Sequence, residues 1–534
     1  RRHAQNSSAA LAHTAIAHQN IAETTTTPST KAQSTSHESR TVQSLGEALS
    51  QDTLKNRVLY MPQMAPIHFP IIASALADEG YQIKLLEEVS PHAIELGLKH
   101  INNDACYPAI VAIGQLLEPI TQHQIDHQHS ALLLAQTCGP CRATNYPALL
   151  KWALDDIHAQ DIPVVTFQGS DLKDEKVHLK LGLSGLKRLI IALLYGDLLQ
   201  ALYLHCHTYE QVPGTALKLV EQYQQELKGK DLTSKKVFSA RVQQIVADFE
   251  QIPLRDERRP KVGIVGEILL KYHPTANNDL VEHIIAEGGE PVLGDITAFV
   301  LYCLHDVVYQ AEHLGASKVK AFVSNLTLQH FEGYRQIIIK ALAGTKFLNL
   351  PTFEELLTAG QKLVSLGQQA GEGWLLTAEM VDFIEHGVSN ILCVQPFACL
   401  PNHVTGKGMM RPLRELYPEA NTCAIDFEAG SAQSNVLNRI KLFITQAKDN
   451  LLAQEQAQAQ LQQLQNSTSF AHTVITHNAA IDLGVGDTTA VVLARRNELY
   501  EAKRHLIMHT VADNDELNYQ QVSSDKPSDK QSGA

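Results

Sequence analysis

The sequence predicts an α/β protein with two doubly wound parallel-sheet domains facing a cleft, a helical connector between them and disordered termini. Three observations carry that expectation. Short β-branched or aliphatic runs alternate with longer amphipathic segments, which is the pattern of a parallel sheet covered by helices on both faces. A stretch from 175 to 252 keeps a helical period and has almost no strand signal. At Lys261 the alternation starts again.

Taken in chain order, residues 1–52 are rich in Ala, Ser, Thr, Gln and His, with a threonine run from Thr24 to Thr27, and read as a disordered lead-in. RVLYMPQM (57–64), YQIKLLEE (81–88), SALLLAQ (130–136) and IPVVTFQ (162–168) have strand character, and HFPIIASALADEG and NYPALLKWALDDIHAQ are helix-like. With the helical layer that follows, they make a first domain over 53–255. KVGIVGEIL opens the second, over 256–450, with helix-like NDLVEHIIAEGG and strands EPVLGD, NILCVQP (390–396) and NTCAIDF (421–427). Residues 451–512 are assigned a polar helix, Gln-, Ala- and Leu-rich over 451–466, and then a terminal hairpin; 513–534 read as a polar, disordered tail. No period of about 20–50 residues recurs, so a solenoid is not expected.

The composition limits the function classes. A chain of 534 residues, 44% hydrophobic and 19% charged, holds enough apolar material for packed cores. Its formal charge of −13 argues against a sequence-independent grip on nucleic acid. No uninterrupted apolar run reaches the roughly 18 residues of a membrane span, and no signal core opens the chain, so neither membrane nor export is expected and the predicted location is cytoplasmic. Eight cysteines are too few for a disulfide scaffold here; in a reducing compartment they are free thiols, metal ligands or nucleophiles. The chain begins at Arg1 rather than Met, and upstream modules are expected to be missing.

Ligands of open α/β sheets collect at the carboxyl ends of strands. Cys138 and Cys141, in QTCGPCRATN, directly follow SALLLAQ; Cys399, in QPFACLPNH, directly follows NILCVQP; Cys106, in NDACYPAIVAIGQ, sits in a polar turn ahead of a helix. These four loop cysteines come from both predicted domains and meet only across an interdomain cleft. Thiolates beside Gly and Pro suit a soft metal, because free amide N–H groups there stabilise sulfide charge. The CxxC of Cys138 and Cys141 is equally compatible with a thiol redox pair or coincidence, and a zinc knuckle lacks a second CxxC or CxxH. Cys393, Cys303, Cys423 and Cys206 lie in apolar strands or helices and are assigned to the core.

Two tempting motifs fail. TGKG at 405–408 has Pro401 where a phosphate loop needs its first glycine and no Ser or Thr after the lysine; GIVGE at 263–267 is too short for a dinucleotide fingerprint and reads as a strand ending in a tight turn. The histidines are scattered, and only His403, beside Cys399, is a candidate proton donor.

Together DACYPAIVAIGQ, QTCGPCRATNYPALL, KVGIVGEI, GWLLTAEMVDFI, NILCVQPFACLPNHVTGKGM and IDFEAGSAQSNVLNRIKLF resemble the C-terminal half of the large acyl-CoA dehydratase activase-related proteins, in the superfamily of 2-hydroxyacyl-CoA dehydratases, benzoyl-CoA reductases and double-cubane cluster proteins. The resemblance covers about residues 55–450. It implies α/β domains holding an iron–sulfur cluster on three thiolates, with Cys106, Cys141 and Cys399 as ligands and Cys138 as an extra ligand or a bystander. The cluster is then a 4Fe-4S centre or, with Cys138, Cys393 and Cys303 in reserve, a double-cubane 8Fe-9S centre. The implied partners are an ATP-dependent activase that passes on low-potential electrons, a small substrate such as an acyl-CoA, and a second copy in a homodimer. AIDLGVGDTTAVVLARRNELYEAKRH (480–505) faintly resembles the phosphate-binding hairpin of such activases, but its spacing is wrong and it is read as an incidental hairpin.

The leading expectation is therefore an iron–sulfur component that takes single electrons from an activase and reduces or dehydrates a small substrate. A two-lobed binding protein with packed cysteines, and a CxxC zinc or thiol redox protein, are the alternatives.

Overall fold

The structure, a computed structural model, describes residues 50–479 apart from 88, 103–104, 137–140, 168–178 and 231–232. The expectations for the lead-in before residue 50, the hairpin at 480–505 and the tail lie outside the described residues, as does Cys138. The described residues belong to one compact unit.

Order begins slightly earlier than the 1–52 lead-in allows: the Ser50 hydroxyl accepts the Thr53 N–H and caps α1 (Gln51–Lys55). The first half continues β1 (Val58–Pro62), α2 (Phe69–Ala77), β2 (Gln82–Leu86), α3 (Pro91–His100), α4 (Tyr107–Thr121), β3 (Ser130–Ala135), α5 (Tyr146–Asp156) and β4 (Val164–Phe167). Three helices follow, α6 (Leu183–Tyr209), α7 (Thr215–Glu226) and α8 (Lys235–Glu250), where a strand-poor stretch was expected. The second half holds β5 (Lys261–Gly266), α9 (Ile268–Tyr272), α10 (Leu280–Ala286), β6 (Glu290–Leu293), α11 (Ile296–His313), α12 (Lys318–Leu342), α13 (Phe353–Gln361), α14 (Gly373–Glu385), β7 (Asn390–Pro396), α15 (Leu400–Thr405), α16 (Met410–Leu416), β8 (Asn421–Phe427) and α17 (Gln433–Ala479).

The two sheets are parallel throughout and share one topology, β2-β1-β3-β4 and β6-β5-β7-β8. Strand order reverses between β1 and β3 and again between β5 and β7, so each sheet opens a crevice at the carboxyl ends of its central pair. Side chains alternate faces along each strand. Leu59 and Met61 of β1 pack into a core shared by both halves, and Tyr60 packs into a second core under α4 and α5. In β7, Ile391 and Cys393 face the shared core, and Leu392 and Val394 face a third, closed by α10 and α17. Both faces of each sheet are covered, which gives the α/β fold with two parallel sheets that the sequence predicts.

Helix α6 lies at the heart of the shared core. Leu189, Ile190, Ile191, Leu194, Leu198 and Leu202 are all buried, so its middle is apolar on every side because it is surrounded there, while Leu183 and Leu186 of its first turn are exposed. It is the one described helix long and apolar enough to cross a membrane, and 72% of its most apolar window is buried inside the fold.

Helix α17 differs from expectation. The helix assigned to 451–466 begins at Gln433, because Val436, Ile440, Phe443, Ile444 and Ala447 form an apolar stripe of helical period against the third core; the polar residues beyond continue that helix.

Candidate functional site

The cysteines are placed by helix starts. Cys106 is the N-cap residue of α4, with extended backbone and Pro108 inside the first turn. Cys399 is the N-cap residue of α15, with Pro401 in the matching place. Cys141 precedes the short 3₁₀ turn Arg142–Asn145 that feeds α5. The Cys106 and Cys399 sulfurs lie against their own first turns, at the Ala109 backbone and the Asn402 amide, which favour thiolate charge there. Proline at the second helical position favours a start there, and the helix N-terminus favours negative charge. The start of α4 is held by close backbone packing on α3. A Cβ on Gly114 would lie 1.9 Å from the Ala93 carbonyl oxygen, and one on Gly97 would lie 2.2 Å from that of Ile110.

Two carboxylates that the sequence reading did not single out occupy equivalent positions in the second half. Glu267 follows β5 and caps α9, accepting the Leu270 N–H at 3.0 Å. Glu372 is the N-cap residue of α14. GIVGE is indeed a strand ending in a tight turn: Gly266 has φ +130°, and a Cβ there would sit 1.8 Å from the Val394 carbonyl oxygen. The turn delivers Glu267 to the crevice.

Electrostatics tie these groups together. All three cysteines are half-buried and outside any disulfide. Burial pushes the Cys106 thiol up to about 11, opposed by hydrogen bonds to Tyr146 and the Ala109 backbone, with Glu267 and Cys141 adding like-charge repulsion. Burial pushes Cys399 up to about 12, and Glu372 and Glu267 act on it in the same direction. Glu267 therefore acts on cysteines from both halves. Its own carboxyl is raised by burial and then by Glu372, and burial raises Glu372. The Tyr146 hydroxyl lies 3.1 Å from Cys106 Sγ. The fully buried Asn402 donates its amide to Glu372 Oε2 at 2.9 Å and to Cys399 Sγ at 3.5 Å, while its carbonyl oxygen is without a partner among the described residues.

Among the described residues no three His, Cys, Asp or Glu side chains close tightly enough to hold a single metal ion. The arrangement is a looser ring of thiols, carboxyls and helix N-termini, in which burial favours the protonated form of each acid.

The other candidates sort differently. His403 lies on α15 rather than in an open loop; its Nδ1–H donates to the Cys399 carbonyl at 2.8 Å, and Gln395 and Asp426 flank the ring. Cys393 and Cys206 are fully buried, as core residues should be. Cys303 corrects its assignment to the core: it is exposed, on the outer side of α11. Cys423 is only partly buried, its sulfur 4.0 Å from an Arg439 guanidinium nitrogen.

Behind the site, hydrogen bonds to the buried Asp197 join the halves, and a buried ion pair lies within the second. Asp197 of α6 accepts from His68 Nε2 at 3.0 Å and from the Ile296 and Thr297 N–H groups at the start of α11, at 2.7 and 3.1 Å. Lys271 Nζ bonds both oxygens of Glu379 at 2.9 Å. A cavity beside this network, lined in part by Asp295, Glu379 and Asp382, measures about 50 Å³, room for a few waters and not for a substrate.

The signal shared by Cys106 and Cys399 is the recurrence of Cys-x-Pro, which marks both as helix starts. No such local signal marks Glu267 or Glu372. No family model matches the chain, and no curated protein matches it.

Proposed function

We propose that the chain is an iron–sulfur protein of the type that the sequence resembles, the 2-hydroxyacyl-CoA dehydratase superfamily. It takes low-potential electrons from an ATP-dependent activase and reduces or dehydrates a small substrate, of which an acyl-CoA is the class implied. The observation that carries this reading is the placing of Cys106, Cys141 and Cys399 ahead of helix starts, around Glu267, where the crevices of the two sheets lie. In this reading the protein is cytoplasmic and homodimeric.

The donor set fits the group. Three thiols without disulfide partners, beside N–H-rich helix starts, match the thiolate ligation of iron–sulfur clusters. Cys106, Cys141 and Cys399 would hold a 4Fe-4S cluster; Cys138, and Cys393 behind Cys399, are the further thiols that an 8Fe-9S double cubane would require. When bound, such a group supplies one-electron transfer at low potential, tuned by charge, hydrogen bonds to sulfur and burial. The chain's own residues set those terms. The Tyr146 hydroxyl hydrogen-bonds with Cys106 Sγ, the Asn402 amide donates to Cys399 Sγ, and burial raises the affinity of the Glu267 and Glu372 carboxyls for protons. His403 Nε2 faces Asp426 and is the candidate outer proton donor.

Protein purified without oxygen is expected to be brown, with iron and acid-labile sulfide in cluster stoichiometry, and the Cys141→Ser variant is expected to lose both. Zinc in place of sulfide would select the thiol or zinc alternative, and a colourless, chelator-resistant protein would select the two-lobed binding protein. Stoichiometric iron retained in Cys141→Ser removes Cys141 from the ligand set.

A further inference from the structure

A second site lies at the opposite end of the second sheet. Lys261, Glu290 and Asn390 are the first residues of β5, β6 and β7, and they line a cavity of about 420 Å³ closed on one side by α17. Glu267 and Cys399 follow the carboxyl ends of the same strands. Six residues of β5 at about 3.3 Å each separate the two ends by roughly 20 Å.

The cavity is strongly basic in a chain whose net charge is −13. Arg255, Arg258, Arg259, Lys261 and Lys346 line it, against Glu257 and Glu290. Neither carboxylate cancels this excess. Glu290 is already occupied, by His205 Nδ1 at 2.8 Å and the Tyr209 hydroxyl at 3.0 Å. Glu257 is shared by two guanidinium groups, Arg259 at 2.7 Å and Arg255 at 3.3 Å. Arg258 reaches only an outlying Glu455 at 3.3 Å. Lys346 bonds the Glu250 and Ile252 carbonyl oxygens, and neither it nor Lys261 has a carboxylate partner among the described residues. Converging cations at the mouth of a protein cavity focus positive potential and concentrate anions. Guanidinium forks match the paired oxygens of phosphate groups. The volume suits a small molecule.

We propose that this groove at the amino ends of β5, β6 and β7 binds a small, multiply charged phosphate compound, of pyrophosphate size or with a pyrophosphate-like moiety, through Arg258, Lys261 and Lys346, with Arg255 and Arg259 at its wall. The site is separate from the cysteine ring and stands whether or not that ring holds iron. Its arginines and Lys346 are partly open to water, so binding weakens as salt rises.

Calorimetric titration with inorganic pyrophosphate at low ionic strength tests it. Saturable binding near one per chain is expected, at least tenfold tighter than sulfate at matched ionic strength. The double variant Arg258→Gln/Lys261→Gln is expected to weaken it tenfold or more, with an unchanged melting temperature in the absence of ligand. Lys218→Gln/Lys236→Gln, which removes the same charge from exposed positions elsewhere, is expected to change it less than twofold. Absence of saturable heat overturns the proposal. So does equal weakening by both double variants, or no weakening by either.

Discussion

His273 gives the sharpest test of how burial governs this protein. The side chain ends α9 and is 2% exposed; its Nδ1 accepts the Ala276 N–H at 3.3 Å, so Nε2 carries the hydrogen, and Nε2 has no partner among the described residues. Burial pulls its pKa down from 6.5 to about 4. Between those values the unfolded chain binds a proton that the folded chain refuses, so stability falls as pH falls through that window and levels off below it. At about 1.36 kcal/mol for each pH unit, the drop is worth about 3 kcal/mol. The perturbation is His273→Asn, whose Oδ1 can still accept from Ala276 and which does not titrate. Urea unfolding of both proteins at intervals from pH 7.5 to 3.5 is the assay. Whatever the variant costs at pH 7.5, the difference between the two curves should close by about 3 kcal/mol on acidification, most of it between pH 6.5 and 4. Parallel curves would show that the imidazole is hydrated or partnered in the folded state and would refute the reasoning.

Gly114→Ala should destabilise the first half by about 3 kcal/mol or more, seen as a lower urea midpoint, because the new methyl meets the Ala93 carbonyl and drives α3 from α4. Lys271→Met alone should cost about 3–5 kcal/mol by leaving Glu379 buried and unpaired, whereas Lys271→Met/Glu379→Leu should recover most of that loss in the same melt; equal losses would mean the pair is hydrated. His207 is raised by its hydrogen bond to Glu282, so its stabilisation is complete below pH 6.5 and is lost as pH rises through the folded value. His207→Gln should therefore lower stability at pH 6 by under about 1 kcal/mol, the pair being partly exposed, and leave it unchanged at pH 9.

The parts of the site that were readable in advance are those written in consecutive residues. Cys141 and Cys399 follow strands whose apolar runs are unmistakable, and Cys106 precedes an apolar helix. Glu267 was passed over because its surroundings, GIVGE, carry only the signal of a turn; its importance comes from Cys399, 132 residues on, and Cys106, 161 residues back. Cys303 was misplaced for the opposite reason. AFVLYCLHDV is apolar around most of its circumference, and only the packing of α11 on α12 and α14 decides which side faces outward.

Local periodicity determined the order of strands and helices, the parallel character of both sheets and the helical layer between them, because each depends on how a short segment divides its apolar and polar faces. Tertiary structure alone decided that the middle of α6 is buried all round, that Glu267 acts on thiols from both halves, and that five cations gather at the far end of the second sheet. Those outcomes depend on contacts between segments far apart in the chain, and such contacts leave no periodic trace in either segment alone.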